Sequence, residues 1–197
     1  MPLYDARLLP FLERFMMQPE SANNVLLLYS STDGQTLRIA EFMRDVLAEH
    51  GHATTIMPLA DAENANWQAF AHVIIGASIR YGKHKPEVLH FVNRHADALT
   101  HKRVAFFSVS AVARKAEKRV VANNLYMRKF LAKSRWQPAH IGIFAGRIHY
   151  ALYRPLDRFM IRLIMRMTKG PTAADANVEF TDWTEVRGFA EKLAREW

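Results

Sequence analysis

The chain has 197 residues, 50% of them hydrophobic, with 27 basic against 19 acidic side chains and a formal net charge of +8. That length and hydrophobic content give one domain with a full core and exclude a disordered chain. The absence of cysteine excludes disulfides, thiol catalysis, iron–sulfur clusters and cysteine zinc sites, and the basic excess points to an anionic partner: nucleic acid, an acidic lipid surface, or a carboxylated or phosphorylated small molecule.

Residues 1–24 read as an N-terminal extension to a domain at 25–197. Leu8, Leu9, Leu12, Phe15 and Met16 pattern a helical arm despite Pro10, and Asp5 and Glu13 break any signal-peptide core. No apolar run approaches the ~20 residues that span a bilayer. The domain opens on a buried strand, Val25-Leu26-Leu27-Leu28-Tyr29. A helix follows at 36–50, with Ile39, Ala40, Met43, Val46 and Leu47 on one face and Gly51 as its stop. Residues 53–59 read as a strand, 64–71 as a short helix and 72–78 as a buried strand. Pro86 starts a helix that runs to 99. Strands at 103–109 and 140–145 flank a largely helical 117–133. Residues 155–168 form a strongly amphipathic helix, 178–180 a short strand, and Thr181 or Asp182 caps a last helix to 195. Near-continuous apolar strands alternating with helices give an α/β fold, a parallel sheet covered on both faces. Chemistry in such folds sits beyond the carboxyl ends of the strands.

Three strand ends carry ligand-like loops. The first, Ser31-Thr32-Asp33-Gly34-Gln35-Thr36, runs from a buried strand straight into a helix. Free backbone N–H groups and the positive end of the helix dipole make that turn an anion site. Hydroxyls add donors, and Gly34 lets the backbone approach closely. The loop lacks the Gly-Lys-Ser/Thr ending of a nucleoside-triphosphate loop, so a single terminal phosphate is the expected ligand. The second loop is Gly76-Ala77-Ser78-Ile79-Arg80-Tyr81-Gly82, and the third begins Ser108-Val109-Ser110-Ala111. Together the second and third could line a flat ring, with Tyr81 stacking on it and Arg80 holding negative charge nearby. The alternative for Arg80 and Tyr81 is a solvated arginine and an aromatic cover over the core.

The first loop resembles the phosphate loop of flavodoxins, which bind FMN. Three further segments narrow the resemblance. Gly76 to Gly82, Val112-Ala113-Arg114-Lys115-Ala116-Glu117-Lys118-Arg119 and Tyr153-Arg154-Pro155-Leu156-Asp157-Arg158-Phe159-Met160-Ile161 are similar to the flavodoxin-like, quinone-dependent protoporphyrinogen IX dehydrogenases of bacterial haem synthesis. The similarity runs from about Asn24 to the C-terminus. One departure is Ser31-Thr32 before Asp33, where the family carries Thr-Arg, which removes a charge near the phosphate.

The resemblance implies a flavodoxin-like three-layer sandwich with five parallel strands in the order 2-1-3-4-5. It implies FMN held by Ser31, Thr32, Asp33, Gly34, Gln35, Thr36, Ala77, Ser78, Ile79, Arg80, Tyr81, Gly82, Ser108, Val109, Ser110, Ala111 and Gly146. The implied donor is protoporphyrinogen IX and the acceptor a membrane quinone. Six electrons leave the donor, three rounds for a two-electron flavin. Arg80 is the candidate catalytic residue. The implied location is peripheral, on the cytoplasmic face of the inner membrane, and a homo-oligomer stays open.

Two basic patches remain. Arg114, Lys115, Lys118, Arg119, Arg128, Lys129, Lys133 and Arg135 crowd 110–135 against Glu117. The resemblance makes this stretch an insertion, and Arg114, Lys115, Lys118 and Arg119 the candidates facing the substrate's propionates; the alternative is a solvated charge run. In the second patch Arg154, Arg158, Arg162 and Arg166 recur every four residues beside Leu156, Phe159, Met160, Leu163, Ile164 and Met167. That helix either packs on the sheet or meets an anionic membrane surface, and both hold if one flank packs and the other meets lipid. The nine histidines show no metal-ligand spacing, so no metal is expected. The rival readings are an electron-carrier flavodoxin, which is typically acidic, an NAD(P)H:quinone reductase, and a nucleic-acid-binding module that would leave the loops unexplained. Nucleic acid is therefore not an expected partner.

Overall fold

The computed structural model describes residues 23–64, 66–168, 170–173 and 175–197. The expected arm at 1–22 lies outside them. The first parallel strand, β1 (Asn24–Ser30), feeds α1 (Gln35–Glu49), which returns the chain to β2 (Ala53–Pro58). Gly51, at φ 84°, makes the left-handed turn that ends α1. β3 (His72–Arg80) and a two-residue β4 (Lys83–His84) come next, then α2 (Pro86–Arg94) and α3 (Ala96–Thr100). β5 (Arg103–Ser110), α4 (Leu125–Leu131) and β6 (His140–Ala145) complete the main sheet. After it come β7 (Arg147–His149), α5 (Pro155–Met167), β8 (Asn177–Glu179) and α6 (Trp183–Glu196).

The sheet runs β2-β1-β3-β5-β6, every pair parallel, which is the expected order of the five strands. Alternation at period two sorts its side chains. Leu26, Leu28, Val73, Ile75 and Phe106 face Val88, Phe91 and Val92 of α2 and Met127 and Phe130 of α4. Val25, Leu27, Ile74, Ala105 and Phe107 face Ile39, Met43 and Leu47 of α1 and Val186, Ala190 and Leu193 of α6. At about 25 cal/mol per Å² of apolar surface removed from water, these two layers are the main stabilising term.

Four local expectations change. The helix expected over 64–71 shrinks to one 3₁₀ turn, Trp67–Ala69, preceded by another at Leu59–Asn64, since so short a segment lacks the hydrogen bonds to repay an α nucleus. The helix expected over 86–99 breaks at His95, whose ring packs against Trp67 and Phe91 and bonds Glu63 at 2.9 Å. In the stretch 117–133 expected to be largely helical, α4 starts only at Leu125 because the Asn124 carboxamide accepts from the Tyr126 and Met127 amides, and the residues before it lie in the 3₁₀ turns Ala116–Arg119 and Val121–Asn123. Strand β3 runs on to Arg80 and folds back as β4 through Tyr81 (φ 51°) and Gly82 (φ 78°), the two positive φ angles of a type I′ hairpin.

The stretch 110–135 is the β5–β6 crossover. A further excursion lies between β6 and α6, where the antiparallel pair β7–β8 and α5 enclose Ile148, Tyr150, Tyr153, Ile161 and Met165 as a third small core.

Candidate functional site

The carboxyl ends of β1, β3, β5 and β6 open into one cleft, roofed by the excursion after β6. Its floor is the loop between β1 and α1. Gly34 sits at φ 84° at the head of α1 and its amide donates to Ser31 Oγ at 3.0 Å. Lys85 Nζ donates to the Ser31 carbonyl at 3.0 Å, and Thr32 and Ser78 hydroxyls meet at 3.2 Å. Gln35 is pinned by its Nε2, which donates to Glu179 and to the Thr181 hydroxyl. These bonds fix the loop at the head of α1, whose first-turn N–H groups have no partner within the helix and lie at the cleft-lining residues Gln35 and Thr36.

Thr36 Oγ1 and Ser110 Oγ are both buried against this cleft, and neither has a hydrogen-bond partner among the described residues. An unpaired buried hydroxyl costs about 1–3 kcal/mol. Two of them, one in the first turn of α1 and one at the end of β5, mark positions where a ligand's polar atoms complete the bonding.

Most of the expected cofactor residues line the cleft: Ser31, Asp33, Gln35 and Thr36, the run from Ser78 to Gly82, Val109, Ser110, Ala111 and Gly146. Thr32 and Gly34 shape the first loop from outside the lining. Ala77 and Ser108 are buried in the sheet, one residue short of Ser78 and Val109, where the strands reach the cleft. Sequence reasoning did not find Val112, Tyr126, Arg147, Ile148, Tyr153, Ile161, Ile164 and Met165, which complete the lining. The last three had a readable signal, an apolar stripe at i, i+3, i+4 on α5.

Arg80 lies at the centre of a charge cluster. Nη1 pairs with Asp33 at 2.6 Å and Nη2 with Asp157 at 3.1 Å, and the guanidinium stands 4.8 Å from the centre of the Tyr153 ring. The Tyr81 hydroxyl donates to the other oxygen of Asp157. One arginine thus ties the phosphate-type loop, the β3–β4 hairpin and α5 together. Burial raises the Asp33 pKa and Arg80 only partly offsets it. The Tyr81 hydrogen bond and then Arg80 hold Asp157 below the usual carboxylate range. Burial alone would lower Arg80, but Asp33 and Asp157 outweigh it and the pKa rises. Beneath the hairpin, burial pushes His84 down to about 4, with Nδ1 3.3 Å from the Ser78 carbonyl and the ring edge-on to Phe106 and Phe130.

The four basic side chains after β5 differ in what they touch. Arg114 donates to the Ala111 carbonyl and to the carbonyl and hydroxyl of Thr168, tying this loop to the end of α5. Arg119 donates to the Ala113 carbonyl and pairs with Glu185. Lys118 reaches the Asn123 carbonyl at 3.2 Å, and Lys115 is exposed.

A family model described as a flavodoxin domain matches residues 26–175. A curated relative from Escherichia coli K12, named protoporphyrinogen IX dehydrogenase [quinone], is 43% identical over 169 residues, 86% of this chain and 93% of that one. The chain belongs to this flavodoxin-domain dehydrogenase family. A relative of the same name from Leishmania major is 37% identical over 170 residues, 86% of this chain and 74% of its own. Among solved structures, oxidised Flavodoxin 1 from Bacillus cereus superposes with a TM-score of 0.51 at 15% identity, covering 88% of this chain and 99% of its own. That likeness supports the fold.

Flavodoxin domains hold FMN, and the residues present fit it. The α1 N-terminus and its hydroxyls suit a terminal phosphate, and Thr36 and Ser110 each have a hydroxyl to give. Tyr81 of the hairpin tip and Val112 of the segment after β5 both line the cleft.

Proposed function

We propose that this protein oxidises protoporphyrinogen IX to protoporphyrin IX, with FMN as cofactor and a quinone as acceptor. The observation that carries the proposal is the 43% identity along 93% of a relative of that name. The cofactor cleft described above supports it. Six electrons and six protons leave the macrocycle, and three quinones become three quinols. When bound, FMN supplies the two-electron relay between them.

The chain's own residues bind, orient and shield. The α1 N-terminus and Thr36 anchor the phosphate end. The Ile79–Gly82 tip and the Ser110–Val112 segment would hold the flavin when it is bound, and Ile161, Ile164 and Met165 line one wall of the cleft and exclude water from it. Arg80 acts as a positioning residue, because two carboxylates already compensate its charge. At the substrate side, Arg114 and Arg119 shape the loop and Lys115 offers an exposed ammonium to a propionate. Among the described residues no helix is long and apolar enough to cross a membrane. The protein meets a lipid-borne quinone from the surface of the inner membrane, on its cytoplasmic face.

The test is anaerobic turnover. The FMN-loaded protein is mixed with protoporphyrinogen IX and a water-soluble quinone, and porphyrin fluorescence is followed. Three quinones consumed per porphyrin formed is the expected result. Quinone reduction driven by NADH, with no porphyrin formed, would sink the proposal.

A further inference from the structure

Helix α5 has two apolar faces, and only one is covered. Ile161 and Met165 are buried, and with Ile164 they form a wall of the cofactor cleft. On the other face Leu156 is 73% exposed, Phe159 65%, Met160 37%, Leu163 44% and Met167 77%, and Leu152 just before the helix is 65% exposed. Only Tyr81, Val120 and Leu125 join them as exposed large hydrophobics among the described residues. A set concentrated on one helix is a patch rather than scatter.

Beside the ridge runs a groove lined by Arg158, Arg162 and Arg166 together with Phe159 and Leu163. Arg158 is committed to the fold through its bond to the Tyr150 carbonyl at 3.0 Å. Arg162 and Arg166 are exposed. The one acidic residue of α5, Asp157, is bonded to Arg80 and Tyr81 and leaves the row uncompensated.

We infer that α5 is a docking helix for an anionic bilayer, with Arg162 and Arg166 receiving lipid phosphates and the ridge from Leu156 to Met167 entering the acyl boundary. The complement of an apolar ridge beside an arginine row is a surface that is apolar in depth and anionic at its rim. A second copy of this chain packing α5 on α5 would set arginines against arginines. The helix has 13 residues, about 20 Å at ~1.5 Å per residue, so it lies in the interface and does not cross a core of ~30 Å. Its opposite face walls the cofactor cleft, so docking holds that cleft about one helix diameter, ~10 Å, from the lipid headgroups. The purpose of this arrangement rests on the proposed use of a lipid-borne quinone; the lipid chemistry of the face does not.

The test is co-sedimentation of the FMN-loaded protein with vesicles of phosphatidylcholine alone or mixed with phosphatidylglycerol. Binding is expected only to the mixed vesicles and is expected to weaken with salt. Arg162→Gln with Arg166→Gln lowers the partition coefficient roughly 25-fold, two basic contacts' worth. Phe159→Ser with Leu163→Ser abolishes binding. Both double variants keep FMN and full turnover with a water-soluble quinone. Equal binding to neutral vesicles, no effect of either pair, or a solution dimer that neither vesicle recruits would overturn the inference. Vesicle binding without protoporphyrinogen oxidation would leave docking intact and remove the proposed reaction.

Discussion

Thr36→Val has opposite expected effects on the free and the FMN-bound protein. The Thr36 side chain is 1% exposed and its hydroxyl has no partner among the described residues. Valine has nearly the same volume and no polar atom. In the free protein the substitution removes a buried unsatisfied group whose cost is about 1–3 kcal/mol. We expect a gain near the lower end, read as a Tm increase of ~2–4 °C for a chain of this size. In the FMN complex the hydroxyl donates to a phosphate, a charge-assisted bond of about 1.5–3 kcal/mol. Its loss weakens FMN binding roughly 10- to 150-fold. Quenching of flavin fluorescence on titration gives the affinity, and calorimetry of the flavin-free protein gives the Tm. A fall in Tm with unchanged FMN affinity would refute the reasoning, because it would make the hydroxyl structural and move the phosphate elsewhere.

Gly76→Ala places a Cβ 2.1 Å from Phe107 Cζ and 2.5 Å from its Cε1, and that ring is fully buried. Overpacking of this kind costs about 1–3 kcal/mol. The upper end applies because a rigid ring has nowhere to move, and calorimetry should show a Tm drop of roughly 5–10 °C, partly restored by adding Phe107→Leu. His84 has its pKa lowered from 6.5 to about 4 by burial, so its contribution is complete above pH 6.5 and is lost as pH falls. Linkage gives a loss of about 2 kcal/mol by pH 5 and about 3 kcal/mol by pH 4. Urea midpoints across that range should fall for the wild type and flatten for His84→Gln; parallel slopes would contradict the assignment. Arg80→Lys keeps the charge but cannot fork between Asp33 and Asp157, and should cost ~1 kcal/mol after allowance for solvent screening. Adding Asp157→Asn should then change the urea midpoint little, and full additivity would show that the cluster does not act as a unit.

β1, β3, β5 and β6 were legible because each carries a nearly continuous apolar run closed by a polar loop. The phosphate-type loop was legible for the same reason, since strand, glycine and helix follow without a gap. Strand order was not readable from periodicity and came with the resemblance. The hairpin at Tyr81 and Gly82 was missed because a tyrosine at φ 51° gives no Asn-Gly or Asp-Gly signal. On α5 the pattern showed apolar and basic stripes but not which flank is covered. That choice is made by distant contacts: Arg114 holds Thr168, Arg158 holds the Tyr150 carbonyl, and Asp157 holds Arg80 and Tyr81. Those anchors turn Ile161, Ile164 and Met165 inward and leave the larger stripe outside.

The same contacts change what Arg80 and the basic loop mean. An arginine beside a phosphate loop invites an electrostatic role toward the ligand. Here its two forks end on Asp33 and Asp157, so one positive charge meets two negative ones. The Lys85 ammonium at the loop is bonded to the Ser31 carbonyl. The attraction for a phosphate therefore comes from oriented backbone N–H groups and hydroxyls at the head of α1, which need no mobile cation. Such a site depends on loop shape, and the Asp33–Arg80–Asp157 chain fixes that shape. Because Asp157 belongs to α5, the helix whose outer face carries the arginine row also braces the anion loop. The excursion after β6 thus joins the cofactor end of the cleft to the outer surface through one guanidinium.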